Sequence, residues 1–253
     1  MTADLADLKA HAERLRELHS GEMLVLPNVW DAASAATVAG AGFPAVATAS
    51  AAISAMLGHP DGEGAPWQEM FAAAGRVAGA VSVPVTVDAE AGYGMRPREL
   101  VDRLLGIGAV GCNLEDTDHR AGGLAEAGAH AQWLAGVRAA ADDAGVPIVI
   151  NARVDAFLPS AGVPEPDRLA EAVRRGWLYR DAGADCIYPI GVSRKHDIAA
   201  LVAELPGPVN GNTGDELDLG ALRELGVARV SYGPRFYRAA VAQLRTTVEA
   251  LRG

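Results

Sequence analysis

Cysteine is nearly absent from this chain: there are two, Cys112 and Cys186, each set in an apolar, strand-like run. Two such residues make no disulfide framework, and they read as free buried thiols. Aromatic residues are also scarce, at 5% of the chain, so the core falls to Ala, Val, Leu and Ile. Positive charge is short, with 22 Lys and Arg against 32 Asp and Glu and a formal net charge of −10. Nucleic acid and anionic membrane surfaces both need clustered basic residues, so neither is expected as a partner. A small anionic substrate stays open, because a metal and one or two Arg make a locally positive pocket in an acidic protein. No uninterrupted apolar run approaches the length of a membrane span. The opening MTADLADLKAHAERLRELHSG is interrupted by charges throughout, unlike a signal peptide, and a cytoplasmic location is expected. No G-x-G-x-x-G follows the first apolar run and no Walker-type phosphate loop occurs anywhere.

What is present is a rhythm. Leu5, Leu8, Ala12, Leu15 and Leu18 recur at helical spacing. After them come eight short apolar runs: Met23–Pro27, Ala45–Ala49, Val83–Val87, Val110–Leu114, Ile148–Asn151, Cys186–Pro189, Val209–Asn210 and Arg229–Tyr232. Helical patterns separate them, as over Pro97–Leu105, Ala125–Asp143, Asp167–Asp181, Ile198–Leu205 and Pro234–Leu251. Glycines 42, 108, 145, 183 and 226 punctuate the predicted helix ends, where a Gly C-cap belongs. Alternating strand and helix implies a parallel sheet. Eight such units in 253 residues predict an α/β fold, a (β/α)8 TIM barrel with an extra N-terminal helix, spanning 1–253 as one domain.

Such a barrel carries its chemistry at the C-terminal ends of its strands. Polar residues do cluster just after the apolar runs: Asn28 to Asp31, Thr48 to Ser50 with the loop GHPDGE, Asp88 and Glu90, Asn113 to Asp116, Asn151 to Asp155, and Asn210 with Asn212. Carboxylates converging in this way repel one another and lose hydration unless a divalent cation joins them. Oxygen ligands without His or Cys suit Mg2+ or Mn2+. Arg153, on a neighbouring strand, is either a fork for a substrate carboxylate or phosphonate or a structural partner of one of the acids.

The motifs VDAEAGYG, NLEDTDH and NARVDAF, preceded by ATASAAISAMLGHPDGE, resemble the isocitrate lyase/phosphoenolpyruvate mutase superfamily from about Leu26 to Gly233. The resemblance implies a modified (β/α)8 barrel that uses Mg2+ to make or break a bond beside the enolate of a 2-oxo acid. It implies Asp88 as direct metal ligand, Glu90 as a ligand through water, and Glu115 and Asp61 as the other outer acids. Ser50, Ala51 and their backbone amides become the cradle for the substrate's C1 carboxylate, and Arg153 the group that steadies the enolate or the departing fragment. A homo-oligomer, dimer or tetramer, is implied as well, with little chain after the eighth-unit helix to exchange between subunits.

The chain departs from the superfamily in one loop. Lyases of isocitrate and methylisocitrate carry a K-[KR]-C-G-H-like loop after the acidic motif, where this chain reads DTDHRAGGLAEAG without a thiol. Phosphonopyruvate mutases carry a Lys there and a His after strand six, where this chain has His119, Arg120 and Ile187-Tyr-Pro-Ile190. His119 is left as a candidate general acid or base beside Glu115 and Arg153, and Asn210 as a contact for the substrate's distal end. The expected activity is therefore cleavage or decarboxylation of an oxaloacetate-like acid. The alternatives are phosphonopyruvate-type P–C chemistry and an inactive barrel that binds a metabolite.

Overall fold

A computed structural model describes residues 4–252, so the ends of the 1–253 domain expectation lie outside the described residues. Its strands are β1 (Leu24–Leu26), β2 (Asn28–Val29), β3 (Val46–Thr48), β4 (Val85–Asp88), β5 (Gly111–Glu115), β6 (Val149–Val154), β7 (Cys186–Pro189), β8 (Asn210–Asn212) and β9 (Arg229–Ser231). All named pairings are parallel, in two runs ordered β2-β3-β4-β5-β6-β7 and β1-β9-β8. A parallel bridge between Ile187 and Val209 joins β7 to β8. β1 lies within the first predicted strand, Met23–Pro27, and β2 follows directly after its Pro27. Proline has no N–H for a ladder. There the chain turns from β9 to β3 as its neighbour, so the pairings run in a complete circuit of eight strand positions.

Helices cover the outside: α1 (Leu5–Glu17), α2 (Ala32–Gly40), α3 (Ser50–Leu57), α4 (Trp67–Ala78), α5 (Pro97–Gly106), α6 (Ala127–Asp143), α7 (Arg168–Asp181), α8 (Lys195–Glu204), α9 (Leu219–Glu224) and α10 (Arg235–Ala250). The glycines at 42, 108, 145, 183 and 226 all have left-handed φ, between 71° and 97°, as the helix-end reading expects. Both cysteines are free and buried.

α1 is the extra helix, and it closes the N-terminal end of the barrel. Leu15 is fully buried, and its Cδ2 would meet a side chain at Gly111 at 2.8 Å, so only glycine fits at the start of β5. Arg16 pairs with Asp185 at 3.1 Å, joining this helix to the residue before β7.

The eighth-unit helix departs from expectation. α10 has no buried residue, and Phe236, Leu244 and Val248 are exposed along it. It touches the barrel near its start, where Tyr237 meets Trp30 edge-on at 5.4 Å between ring centroids. The rest stands away from the barrel wall with its apolar face uncovered.

Candidate active site

Side chains two apart on a strand share a face, and here the inward face is fixed by bonds that cross the barrel. Asn151 on β6 donates to Asn113 on β5 at 2.8 Å and to Asn210 on β8 at 3.1 Å. Arg229 on β9 reaches Asn113 at 3.1 Å. Asn113, Asn151 and Asn210 thus point inward. So do the residues two further on, Glu115, Arg153 and Asn212, which form the rim at the C-terminal end. The sequence placed the polar groups just after the strands; the structure puts Asp88 and Glu115 at the last strand positions, where the backbone ladder holds them rigidly.

Asp88 lies beside the start of α3. Its Oδ2 accepts from the Ser50 amide at 3.0 Å, and its own amide donates to Thr48 Oγ1 at 2.9 Å. The positive end of α3 therefore faces a carboxylate. Oδ1 is buried without a hydrogen-bond partner. Burial pushes the Asp88 carboxyl upward, against the pull of Arg153 and the Ser50 amide. The first amide of the expected C1 cradle is held by Asp88. Ala51 follows Ser50 in the first turn of α3.

Glu90 is 1% exposed. Its Oε1 accepts from the Tyr93 hydroxyl at 2.6 Å, and its Oε2 from the Glu63 amide. The Glu63 carboxylate in turn accepts from the Tyr93 amide at 2.6 Å. Glu63, Glu90 and Tyr93 all have left-handed φ, at 57°, 49° and 55°, which costs about 1–3 kcal/mol per non-glycine residue. Three strained residues bonded to one another make a clasp between the loops after α3 and β4. Burial pushes Glu90 up to about 7 even against the Tyr93 and Glu63 bonds.

Glu115 is 3% exposed and stands between two basic side chains. One oxygen meets His119 Nε2 at 2.6 Å and the other meets the Arg153 guanidinium. Burial still pushes its carboxyl upward, while the bond to Glu115 raises His119. Arg153 also grips Asp155 with two nitrogens, at 2.7 and 2.8 Å. Its structural reading is thus met in full, with its charge shared between two acids.

Not every predicted residue joins this cluster. Ligand atoms of Glu90, Glu115 and His119 come within 4.8 Å of one another. Asp88 stands next to them, and its charge and that of Asp61 are both felt at Glu90. Asp61 itself is exposed on the loop after α3. Asn210 is fully buried one layer below the rim. Asp116, beside Glu115 in sequence, turns away to Arg175 at 3.0 Å and Tyr179 at 2.7 Å and serves the wall. One feature escaped the sequence: Tyr188, whose hydroxyl donates to Asn212 at 2.7 Å on the opposite rim.

The donor set suits a divalent cation. Three buried or half-buried carboxyls are pushed upward by lost hydration, one oxygen has no partner, and an imidazole stands among them. A bound cation reverses each of these penalties. No helix among the described residues is long and apolar enough to cross a membrane.

Comparison with known proteins gives this geometry a family. The model of the phosphoenolpyruvate phosphomutase family matches residues 15–252. A crystal structure of a candidate phosphonomutase from Burkholderia cenocepacia is 40% identical, covers 96% of this chain and 99% of its own, and superposes with a TM-score of 0.89. An oxaloacetate decarboxylase from Bradyrhizobium is 31% identical over 97% of this chain and 86% of that protein. The structure of an oxaloacetate acetylhydrolase holding its product oxalate is 26% identical, covers 97% of this chain and 87% of its own, and has a TM-score of 0.85. By its sequence over residues 15–252, the chain belongs to the phosphoenolpyruvate phosphomutase family.

Proposed function

We propose that this barrel is a Mg2+- or Mn2+-dependent carbon–carbon lyase that acts on a small 2-oxo or 2-hydroxy acid, with decarboxylation of an oxaloacetate-like acid as the activity best supported. The observation that carries the reading is the set of under-compensated acids at the rim, Asp88, Glu90 and Glu115, with His119 among them. Similarity to oxaloacetate decarboxylases at about one-third identity supports the choice of acid. Asp88, Glu90 and Glu115 would hold the cation, with Asp61 closing from its loop. When bound, the cation supplies charge stabilisation for an oxyanion developing on the substrate.

The chain's own residues would do the rest. The first amides of α3, at Ser50 and Ala51, would bind the C1 carboxylate. Arg153, fixed by Asp155, presents a positive charge to the enolate or to the departing carboxylate. His119, whose hold on a proton is strengthened by its bond to Glu115, can return a proton to the enolate carbon. A cytoplasmic setting suits the two free thiols, and a homo-oligomer suits the uncovered face of α10.

The 40% identity to a candidate phosphonomutase favours P–C chemistry as the second reading. One screen separates them: oxaloacetate, phosphonopyruvate and methylisocitrate, each with Mg2+ and Mn2+, and with Asp88→Ala as control. Metal-dependent pyruvate formation from oxaloacetate, reduced roughly a hundredfold or more in Asp88→Ala, is expected. Turnover of phosphonopyruvate alone would establish the second reading, and equal turnover by the variant would remove Asp88 from its role.

A further inference from the structure

The clasp of Glu63, Glu90 and Tyr93 joins two loops that are supported differently. The loop after β4 is pinned from outside. Trp133 on α6 donates from Nε1 to the Met95 carbonyl at 3.1 Å, and its ring lies so close to Gly92 that a Cβ there would meet it at 2.7 Å. The loop after α3 carries Asp61 and is tied through Glu63. Among the described residues, the hydrogen bonds that join residues 60–65 to another element are the two of Glu63. Its amide donates to Glu90 Oε2, and its Oε1 accepts from the Tyr93 amide at 2.6 Å. The Tyr93 hydroxyl closes the cycle on Glu90 Oε1 at 2.6 Å, and the Tyr93 ring meets Phe71 on α4 edge-on at 6.2 Å between centroids.

The backbone sets these three residues apart. Glu63, Glu90 and Tyr93 lie at left-handed φ, where glycine fits without strain, and Gly62, Gly92 and Gly94 beside them also have left-handed φ, at 80°, 86° and 67°. A side chain in this region is strained unless its surroundings hold it, and each of the three is a member of the bond cycle. Glu63 is two residues from Asp61. Gly62, between them, passes close to His119: a Cβ there would lie 3.3 Å from the imidazole Cε1 and Nδ1. The attachment at Glu63 therefore sets where Asp61 stands relative to the rim, where the Glu90 carboxylate points, and what His119 rests against.

We propose that Glu63 is a positioning residue of the metal centre, a latch that fixes the loop after α3 to the loop after β4 so that Asp61 and Glu90 meet the cation in one arrangement. This rests on the metal-dependent reading of the site. The role needs the backbone amide and an acceptor oxygen on residue 63, and it needs no negative charge there. Groups that orient metal ligands are commonly worth about ten- to a hundredfold in metal affinity.

Two substitutions separate the bond from the charge, with Mn2+ calorimetry on the full chain as the readout. Glu63→Gln keeps the acceptor and removes the charge, and is expected to bind Mn2+ within about threefold of wild type. Glu63→Gly removes the acceptor and relieves the left-handed strain, so the fold is not put at risk. It is expected to bind Mn2+ about tenfold more weakly or worse, with a metal-free denaturation midpoint close to wild type. Tyr93→Phe breaks the same cycle, so in combination with Glu63→Gly the loss should fall short of the product of the two single losses. Wild-type affinity in Glu63→Gly would overturn the proposal. So would equal weakening in Glu63→Gln and Glu63→Gly, because the charge and not the bond would then matter. A denaturation midpoint that falls in step with affinity would reduce Glu63 to a structural part of its loop. If the wild-type protein binds no Mn2+, the metal reading itself falls and takes the assignment of Glu63 with it.

Discussion

The two halves of the barrel mouth share a scaffold and differ in chemistry. From β4 to β6 the rim is charged: Asp88, Glu115 and Arg153, joined by Glu90, His119 and Asp155. From β7 round to β2 it is neutral: Tyr188, Asn212, Ser231 and Asn28. The neutral half satisfies itself. Asn28 donates to the Thr48 carbonyl at 2.7 Å and accepts from the amides of Tyr232 and Gly233 at 2.7 and 3.0 Å, closing the ring between β2, β3 and the end of β9. The charged half does not. Its acids are pushed upward by burial, and Asp88 keeps an oxygen without a partner. Burial thus goes with a finished hydrogen-bond network on one side and a set of under-compensated acids on the other. Function sits where polar satisfaction is incomplete.

The strongest way to break that contrast is on the charged side. Asp155 is 1% exposed, grips Arg153 twice and also accepts from Thr117. Asp155→Ala leaves Arg153 buried with Glu115 as its remaining acid, and a loss of about 3 kcal/mol in chemical denaturation is expected. A loss below about 1 kcal/mol would mean that the Arg153 cluster is hydrated and not a buried pair. On the neutral side, Asn28→Ala removes hydrogen bonds from groups without formal charge. A smaller loss, about 1–2 kcal/mol, is expected, with metal affinity within about threefold of wild type. A metal affinity that collapsed in Asn28→Ala would show that the two halves are not separable.

The same division governed what the sequence disclosed. Charged residues after apolar runs are rare enough to stand out, so Asp88, Glu90, Glu115 and Arg153 were legible as a group, and the strand–helix rhythm made the barrel legible with them. Tyr188 was not, because a neutral aromatic in CIYPI reads as one more apolar strand position, and only the bond to Asn212 shows it at the rim. The split of the first strand at Pro27 had a visible cause, but its consequence, a change of neighbour from β9 to β3, is a property of the closed ring. The stand-off of α10 was hidden for a different reason. Its amphipathic pattern is the same whether it packs on its own barrel or on another surface.

Metal titration tests the central claim most directly. The acids of the charged half share raised affinity for protons, with Glu90 at about 7. A group raised in this way is partly protonated at neutral pH, and a cation must displace that proton, so metal affinity should rise with pH through this range and protons should be released on binding. Mn2+ calorimetry on chelator-stripped protein, run at pH 7 in two buffers of different ionisation enthalpy, reads both quantities. The expected result is one site per chain with net proton release, lost in Asp88→Ala. Absence of binding, or the same binding in wild type and Asp88→Ala, would contradict the assignment of this rim as a metal centre.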